Sequence, residues 1–296
     1  MPQDIDHNQL NALIQAANAG WIAGETSLSE LPPEQQLRRL GYSPGPGEES
    51  LEQRIQASAS KAAALKASVA AAPASFDWRN AGGKDYVTPV RDQKDCGACV
   101  AFAATATVES MLRIERQDPG LEVDLSEASL FFCVGPRTGA SCSGGWHMRA
   151  AMDGYKNTGV PDEACFPYTP HQQPCNQCSD WASRATRIKK WHTNVAAADL
   201  KTWLSTRGPL ASAFTVYSDF FLWYSSGVYR HVSGDFLGLH CTCVIGYDDA
   251  AGCWICKNSW GAGWGESGFF RIAYGQCGID STMWAVDGIL QPAGST

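Results

Sequence analysis

The sequence predicts an α+β fold, with helices in the front part of the chain and strands behind them. Residues 100–116 form an apolar, helix-forming stretch. From Leu210 onward, short apolar segments alternate with Gly-containing turns, which is the pattern of strands. Helices and strands that are segregated along the chain indicate α+β architecture. We therefore expect a mainly helical half from Phe76 to about Leu200 and a strand-rich half after it.

The first 75 residues differ in character from the rest of the chain. Four apolar residues follow the spacing of one helix face: Leu10, Leu13, Ile14 and Ala17. Asp4 or Asp6 could cap the start of this helix. A short helix through Arg39 should end at the Gly- and Pro-rich residues 41–47, and residues 52–72 form a polar, Ala-rich, helix-capable linker. The alternative is a disordered or tag-like leader.

Two further helices are expected in the helical half, at residues 127–132 and 146–157, and Gly159 and Pro161 end the second. The predicted strands are residues 210–217, 241–247, 253–257, 269–274 and 283–286.

Composition excludes several classes of function. A chain of 296 residues with 44% hydrophobic content can bury a large core in one or two domains. The net charge is −7 and no basic block is present, so we expect no nucleic-acid partner. No apolar run approaches the length of a membrane span, so we expect no membrane partner either.

Cys99 is a candidate nucleophile. Gly97 and Ala98 leave room for a turn, so Cys99 falls at or near the first position of the helix that follows. The positive end of the helix dipole and the unpaired backbone N–H groups there favour a thiolate over a thiol. The alternative is an inert buried cysteine, as most free cysteines are.

His240 and Asn258 are the candidate partners of Cys99. His240 precedes the predicted strand at residues 241–247, and Asn258 follows the strand at 253–257 in a Gly-rich turn. Because both lie far downstream of Cys99, only the fold can bring the three together. Taken singly, His240 could be a buried core histidine and Asn258 a turn residue.

Several short motifs occur in a fixed order from residue 75 to about residue 290. They are Ser-Phe-Asp-Trp-Arg at 75–79, Val-Thr-Pro-Val-Arg-Asp-Gln at 87–93, Cys-Gly-Ala-Cys at 96–99, Cys-Ser-Gly-Gly-Trp at 142–146, Phe-Pro-Tyr at 166–168, Gly-Pro at 208–209, His240, and Asn-Ser-Trp-Gly-Ala-Gly-Trp-Gly at 258–265. An early cysteine with His and Asn far downstream is the order of papain-type proteases. The chain therefore resembles the papain-like cysteine peptidases.

This resemblance implies a papain-like two-lobed fold, with a helical left lobe, a β-barrel-like right lobe and a cleft between Cys99 and His240. It implies a cysteine endopeptidase in which Cys99 forms a thioacyl-enzyme intermediate and His240 protonates the leaving amine. Asn258 would orient the imidazole, and Trp260 would shield their hydrogen bond from water. Gln93, with the backbone N–H of Cys99, would donate to the oxyanion, although Gln93 could also be a surface amide.

The resemblance also assigns substrate-binding residues. Gly144 and Gly145 would bind the substrate backbone as a short antiparallel strand pair. The side chains at the substrate site would be Trp146, Met148, Ala213, Cys241, Trp260 and Thr282, of which all but Trp260 line the pocket for the second side chain upstream of the cut. This pocket is mostly apolar and lacks an acidic residue, so we expect Leu, Val or Phe there rather than Arg. Met148 and Ala213 could instead be ordinary core residues.

Residues 1–74 are similar to the short pro-region of the cathepsin B branch, at residues 18–24 and 37–41, and residues 75–296 would form the catalytic domain. In this type the pro-chain crosses the cleft in the reverse direction. Leu40, Gly41 and Tyr42 are therefore expected to cover Cys99 and keep the enzyme latent.

The chain has 12 cysteines. The family pattern suggests the disulfide Cys96–Cys142 and a pair of Cys133 with Cys175 or Cys178, which leaves Cys165 for the other. Cys277 could be free, and the pairing of Cys241, Cys243, Cys253 and Cys256 stays open. The C-x-x-C pairs at 96/99, 175/178 and 253/256 could instead indicate zinc or dithiol redox chemistry. They lie far apart in the sequence, so we expect no metal and no cofactor.

The chain departs from the family pattern at two positions: Val100 replaces the usual Trp beside the nucleophile, and Leu239 replaces the usual Asp or Asn before the catalytic His. No long insertion lies between Cys142 and Phe166. The occluding loop of cathepsin B is therefore missing, which favours endopeptidase action over the trimming of dipeptides from C-termini.

The N-terminus has neither the basic region nor the apolar core of a signal peptide. Pro-regions of this type follow directly on a signal peptide, and several disulfides would fit an oxidising compartment. We expect a secreted or periplasmic monomer whose partners are peptide or protein substrates and its own pro-segment, with a cytoplasmic location as the alternative. The rival function is a catalytically silent papain-like binding or inhibitory module, which is disfavoured because the chain retains all four expected catalytic residues.

Overall fold

The computed structural model describes residues 6–67, 72–194 and 196–290. Its α-helices are α1 (His7–Ala16), α2 (Pro33–Gln36), α3 (Leu51–Ala67), α4 (Cys99–Glu115), α5 (Met148–Asn157), α6 (Trp181–Arg184), α7 (Ala197–Thr206) and α8 (Ser218–Trp223). Short 3₁₀ turns lie at Leu37–Arg39, Trp78–Asn80 and Gly135–Thr138, and a π-helical turn lies at Ser129–Val134.

The strands of the described residues are β1 (Trp21–Ala23), β2 (Ser75–Asp77), β3 (Arg187–Asn194), β4 (Leu210–Tyr217), β5 (Tyr224–Tyr229), β6 (Phe236–Asp248), β7 (Cys253–Lys257), β8 (Phe269–Ala273) and β9 (Met283–Leu290). They form one sheet in the order β1-β5-β8-β7-β6-β4-β9-β3, and β2 pairs with β6. All pairs are antiparallel except β5 with β8.

The α+β class is confirmed, and the sheet is open. Within the described residues, β1 and β3 are its two edges and no pairing joins them, so the strands do not close into a barrel. At one edge the N-terminal segment covers β5, with Trp21 opposite Gly227. Because β1 occupies the hydrogen-bonding groups of β5, β5 is not itself an edge strand.

Two hydrophobic cores support the two halves. In the front half, α4 is buried on every face from Cys99 to Leu112, as expected for a helix at the centre of a lobe. It ends where Gln117 adopts a positive φ and Pro119 follows, since proline cannot continue a helix. In the second half, the sheet packs on a separate, aromatic-rich cluster. The residues between the two cores can therefore form a cleft.

Helix α1 buries fewer of its apolar residues than the sequence predicted. Asp6 caps α1 by accepting backbone N–H groups of its first turn at 2.8 Å, whereas Asp4 lies outside the described residues. Leu10 and Ile14 are buried, but Leu13 is 41% exposed and Ala17 is exposed too. The prediction was wrong for these two because α1 contacts the protein along one row of side chains only.

Residues 52–72 are not a simple linker, as far as they are described. Residues 51–67 form α3, whose Arg54, Ser58 and Leu65 are buried against the second half of the protein, while residues 68–71 lie outside the described part. The alanines favour the helical conformation, and the buried residues between them contact the rest of the protein.

Three disulfides connect the first half: Cys96–Cys142, Cys133–Cys175 and Cys165–Cys178. The alternative that the sequence left open is thus resolved in favour of Cys175 as the partner of Cys133. Among the described residues the other six cysteines are free: Cys99, Cys241, Cys243, Cys253, Cys256 and Cys277.

Candidate active site

Cys99 is the first residue of α4 and is fully buried. The turn before it is held on two sides, because Cys96 is bonded to Cys142 and the Gly97 N–H donates to the Cys142 carbonyl at 2.9 Å. The sulfur therefore sits at the positive end of a 17-residue helix whose start cannot shift.

His240 and Asn258 come together from two neighbouring strands. His240 lies in β6, Asn258 directly follows β7, and the His240 Nε2 is 2.8 Å from Asn258 Oδ1. The same Oδ1 accepts the Ser259 N–H at 2.8 Å, which fixes the orientation of the amide. Nε2 must therefore carry the proton, and Nδ1 is the nitrogen left to accept one.

The Trp260 ring lies over the His240–Asn258 pair. Its centroid is 4.4 Å from that of the His240 ring, and Trp260 is 1% exposed. An apolar ring at this distance keeps water away from the hydrogen bond, which strengthens it.

The environment of Cys99 stabilises its thiolate. Burial alone would raise the pKa of the thiol, but hydrogen bonds from Cys241, together with the charge and a hydrogen bond of His240, oppose it. The net effect places the pKa of Cys99 well below its ordinary value. His240 Nδ1 has no other hydrogen-bond partner among the described residues, so this nitrogen is available to the sulfur.

Gln93 is buried beside the nucleophile turn. Its Nε2 donates to the Cys96 carbonyl at 2.9 Å and to the Arg39 carbonyl at 3.1 Å, while its Oε1 accepts the Ser259 hydroxyl at 2.7 Å. The amide is therefore oriented by the residue that follows Asn258. The second interpretation of Gln93, a surface amide, does not hold, because its exposed fraction is 0%.

The N-terminal segment passes directly through this region. The Trp146 N–H donates to the Gly41 carbonyl at 2.7 Å, and the Tyr42 N–H donates to the Leu239 carbonyl at 3.2 Å. Gly41 packs so tightly that a Cβ there would collide with the Gly97 carbonyl. Leu40, Gly41 and Tyr42 thus lie between the two lobes, next to the turn that carries Cys99.

The direction of this segment differs from that expected of a substrate. Tyr42 pairs with Trp146 in a parallel bridge, whereas the substrate is expected to run antiparallel to residues 144–145. Gly145 has a φ of +69°, and a Cβ there would collide with the Gly41 carbonyl, so glycine is required for the close approach. Gly144 adjoins it, with its N–H bonded to Ser141 Oγ.

Three of the predicted pocket residues belong to the same buried cluster as Tyr42: Met148, Ala213 and Cys241. Thr282 Oγ1 donates to Glu49 Oε2 at 2.8 Å, so Thr282 also faces the N-terminal segment.

Trp146 contacts the N-terminal segment through its backbone, in the bridge with Tyr42. Its ring is 1% exposed, and its Nε1 donates to Thr138 Oγ1 at 2.9 Å. It belongs to the same buried cluster as Tyr42.

The contacts of a stripe of polar residues on α3 were not predicted from the sequence. The Arg54 guanidinium donates to the Ala213 carbonyl at 2.6 Å and to the Gly278 carbonyl at 3.4 Å, and it lies 5.7 Å from the ring centroids of both Tyr42 and Trp284. On the next turns, Ser58 Oγ donates to Asp280, and Lys61 Nζ donates to the Ser281 carbonyl. The spacing of positions 54, 58 and 61 was the available signal.

A buried ion cluster behind the site was also missed. Lys257 Nζ donates to Thr88 Oγ1 at 2.9 Å, and that hydroxyl donates to Glu109 Oε2 at 2.6 Å. Burial lowers the pKa of Lys257 and raises that of Glu109, while their mutual attraction opposes both shifts. Because Lys257 precedes Asn258 and Glu109 lies in α4, the cluster joins the two halves of the site.

Within the described ranges, no group of three or more His, Cys, Asp or Glu side chains is arranged to hold a metal ion. Two of the three C-x-x-C pairs are divided, since Cys96, Cys175 and Cys178 are each bonded to a cysteine elsewhere, whereas Cys253 and Cys256 are both free thiols.

Residues 72–286 match the model of a family described as papain family cysteine protease. A gut-specific cysteine proteinase of Caenorhabditis elegans is 32% identical over 245 residues, which is 73% of this chain and 74% of that protein. A cathepsin B-like protein of Giardia intestinalis is 36% identical over 231 residues, covering 72% and 73%.

Solved structures of pro-forms share the fold. The digestive procathepsin L2 proteinase of Tenebrio molitor larval midgut is 28% identical and superposes with a TM-score of 0.75, covering 95% of this chain and 88% of that one. A procathepsin B of Trypanosoma congolense, 23% identical, superposes with a TM-score of 0.76 over 96% and 98%.

Proposed function

The chain belongs to the papain family of cysteine proteases, and from that premise we propose that Cys99, His240, Asn258 and Gln93 form its catalytic site. It is a papain-like cysteine peptidase. One observation carries the assignment of residues: Asn258 fixes His240 Nε2 at 2.8 Å, and His240 is among the groups that hold the pKa of the buried Cys99 thiol below its ordinary value.

In the proposed reaction, the Cys99 thiolate attacks the peptide carbonyl and forms a thioacyl-enzyme. His240, protonated at both nitrogens in the ion pair, gives the Nδ1 proton to the leaving amine. The same nitrogen then takes a proton from the water that releases the acyl group. Asn258 keeps the ring in one plane through these transfers because it holds Nε2.

Gln93 is proposed to donate to the oxyanion. Its Nε2 already holds a carbonyl oxygen, that of Arg39, beside the nucleophile turn. The loss of one such donor typically costs about 2.7–4 kcal/mol of transition-state stabilisation.

Residues 1–74 are proposed to be an inhibitory pro-segment and residues 75–296 the catalytic domain. The contacts of Gly41 and Tyr42 support the inhibitory role, since these residues occupy the cleft between the lobes. The parallel bridge at Trp146 supports the reversed direction, which keeps the peptide bonds of the segment out of register for cleavage.

The active form is proposed to be an endopeptidase that prefers Leu, Val or Phe over Arg as the second side chain upstream of the cut. Tyr42 shares a buried cluster with Met148, Ala213 and Cys241, which supports an apolar or aromatic preference. A peptide series that differs only at this position tests it, and faster cleavage with Arg would contradict it.

No helix of the described residues is long and apolar enough to cross a membrane. Three disulfides support an oxidising compartment, and we propose a secreted or periplasmic monomer.

The decisive experiment compares the full-length chain, its Cys99→Ser variant and a Cys277→Ser control after acid treatment, with a fluorogenic peptide carrying Leu or Phe. Cys277 is a free thiol outside the site, so the control should cleave the peptide and react with an epoxysuccinyl reagent. Cys99→Ser should do neither. Cleavage by Cys99→Ser would place the nucleophile elsewhere.

A further inference from the structure

The residue after His240 is a second thiol at the nucleophile. Cys241 lies in β6, opposite Ala213 of β4, in the same buried cluster as Cys99. Cys241 directly follows His240, and both residues oppose the effect of burial on the pKa of Cys99. Neither sulfur is in a disulfide, and the exposed fractions are 0% for Cys99 and 1% for Cys241.

The other free thiols of the sheet lie elsewhere. Cys243, two residues along the same strand, accepts the hydroxyl of Thr107, two turns further along α4 than Cys99, at 3.4 Å. Cys253 and Cys256 lie on β7, where burial raises the pKa of both. Cys241 is thus distinguished from these thiols by position, because it adjoins His240 and shares the buried cluster of Cys99.

We propose that Cys241 is the resolving thiol of Cys99, so that oxidation of the nucleophile by a hydroperoxide ends in a reversible Cys99–Cys241 disulfide. This inference rests on the proposed function, because it takes Cys99 as the reactive thiolate.

The chemistry has two steps. The Cys99 thiolate attacks one oxygen of hydrogen peroxide, the O–O bond breaks, and Cys99 becomes a sulfenic acid while hydroxide leaves. The Cys241 sulfur then attacks the sulfenic sulfur and the S–O bond breaks. The departing hydroxide takes the Cys241 proton, so one water and one S–S bond form. Peroxide is the oxidant, and a later dithiol returns both cysteines to thiols.

The surroundings of Cys241 favour its attack on the sulfenic acid once Cys99 has been oxidised. Burial, the hydrogen bond to Cys99 and the negative charge of Cys99 all raise the pKa of Cys241 while Cys99 is a thiolate. A sulfenic acid is neutral, so the last of these effects disappears once Cys99 is oxidised. His240 Nδ1, which has no other partner among the described residues, can then accept the Cys241 proton and pass it to the departing hydroxide.

The segment at Gly41 and Tyr42 limits when this can happen. It covers both thiols, so peroxide reaches them only after the segment leaves. The disulfide is therefore a property of the processed enzyme, in which it blocks the nucleophile and prevents its further oxidation to the irreversible sulfinic acid.

The test uses the full-length chain after its own processing, treated with hydrogen peroxide and then with dithiothreitol. Each protein's activity is divided by its own untreated value, so differences in basal activity do not enter. The wild type and a Cys243→Ala control should recover most of their activity. Cys241→Ala and Cys241→Ser should recover about tenfold less, because their sulfenic acid proceeds to the sulfinic state.

Peptide mapping gives the second readout on the same samples. Wild-type protein should yield a Cys99–Cys241 linked peptide that dithiothreitol splits, and Cys241→Ala should yield a Cys99 peptide with two added oxygen atoms. Equal recovery in wild type and both Cys241 variants, or a wild-type map without the linked peptide, would overturn the proposal. A failure of the proposed function would be recognised by a different result: the Cys99→Ser variant would be active without any peroxide treatment.

Discussion

The side-chain amide of Gln93 donates to the main-chain carbonyl of Arg39 at 3.1 Å. A carbonyl of the N-terminal segment therefore occupies the donor that the proposed mechanism reserves for the oxyanion. The same contact supports the proposed latency and orients a proposed catalytic group, so Gln93 is the first residue to test.

Gln93→Ala should lower kcat about 10²–10³-fold in the processed enzyme and change KM little, because the donor acts on charge that develops only in the transition state. Steady-state kinetics with the fluorogenic peptide measure both constants. A raised KM with unchanged kcat would assign Gln93 to substrate binding instead.

Arg39→Ala should speed the loss of latency. The Arg39 guanidinium is nearly buried and lies 2.6 Å from Asp92, so its removal deletes an ion pair between the N-terminal segment and the nucleophile loop. The time course of activation at acid pH measures the effect. Arg38→Ala, at the neighbouring position in the same turn, is the control and should activate at the wild-type rate; equal rates for both variants would deny Arg39 this role.

Arg54→Met should weaken the docking of α3 on the rest of the protein. Arg54 is 1% exposed and donates to the Ala213 and Gly278 carbonyls. Hydrogen bonds from a charged group contribute about 1.5–3 kcal/mol, so docking should weaken about 10–150-fold.

Hydrogen exchange of residues 51–67 measures this docking in the full-length chain. The exposed Gln56 offers a control in Gln56→Ala on the same helix. Unchanged protection in Arg54→Met would mean that α3 is held by its other contacts.

Glu163→Gln should stabilise the protein at alkaline pH. Burial raises the pKa of Glu163 to about 7, and its Oε2 is buried without a partner among the described residues. A carboxyl group whose pKa is higher in the folded than in the unfolded state stabilises the fold when protonated. That contribution is complete below about pH 4.3 and is lost as the pH rises through about 7.

Thermal unfolding at pH 5 and pH 8 measures this difference. The gain from Glu163→Gln should appear at pH 8 and be small at pH 5, whereas Glu122→Gln, at an exposed site, should show no such dependence. The same change in Tm at both pH values would contradict a raised pKa.

The sequence predicted those parts of the fold that depend on local pattern. The bounds of β4 and β7 match the predicted strands, and α4 begins at Cys99 as expected from the Gly97–Ala98 turn. β6 is longer than predicted, since residues 236–240 are less apolar than the segment behind them. Four strands were missed, because each is defined by pairing with a strand far away in the sequence: β1, β2, β3 and β5.

Only part of the candidate site could be predicted from the sequence. The positions of Cys99, His240 and Asn258 followed from ordered motifs, which need no knowledge of packing. The roles of Arg54 and Lys257 did not, because an arginine in an Ala-rich helix and a lysine at a strand end are usually exposed. Their burial depends on carbonyl and hydroxyl partners more than a hundred residues away in sequence.

The pH dependence of Cys99 alkylation tests the central claim, a thiolate held by His240, most directly. Because the pKa of Cys99 is well below its ordinary value, the processed enzyme should react with iodoacetamide at its full rate already at pH 6. His240→Ala should move the rise in rate toward the range of a free thiol, near about pH 8.5, which would make the reaction at pH 6 more than tenfold slower. A wild-type rate that rises only in the free-thiol range, or a profile that His240→Ala leaves unchanged, would contradict the account.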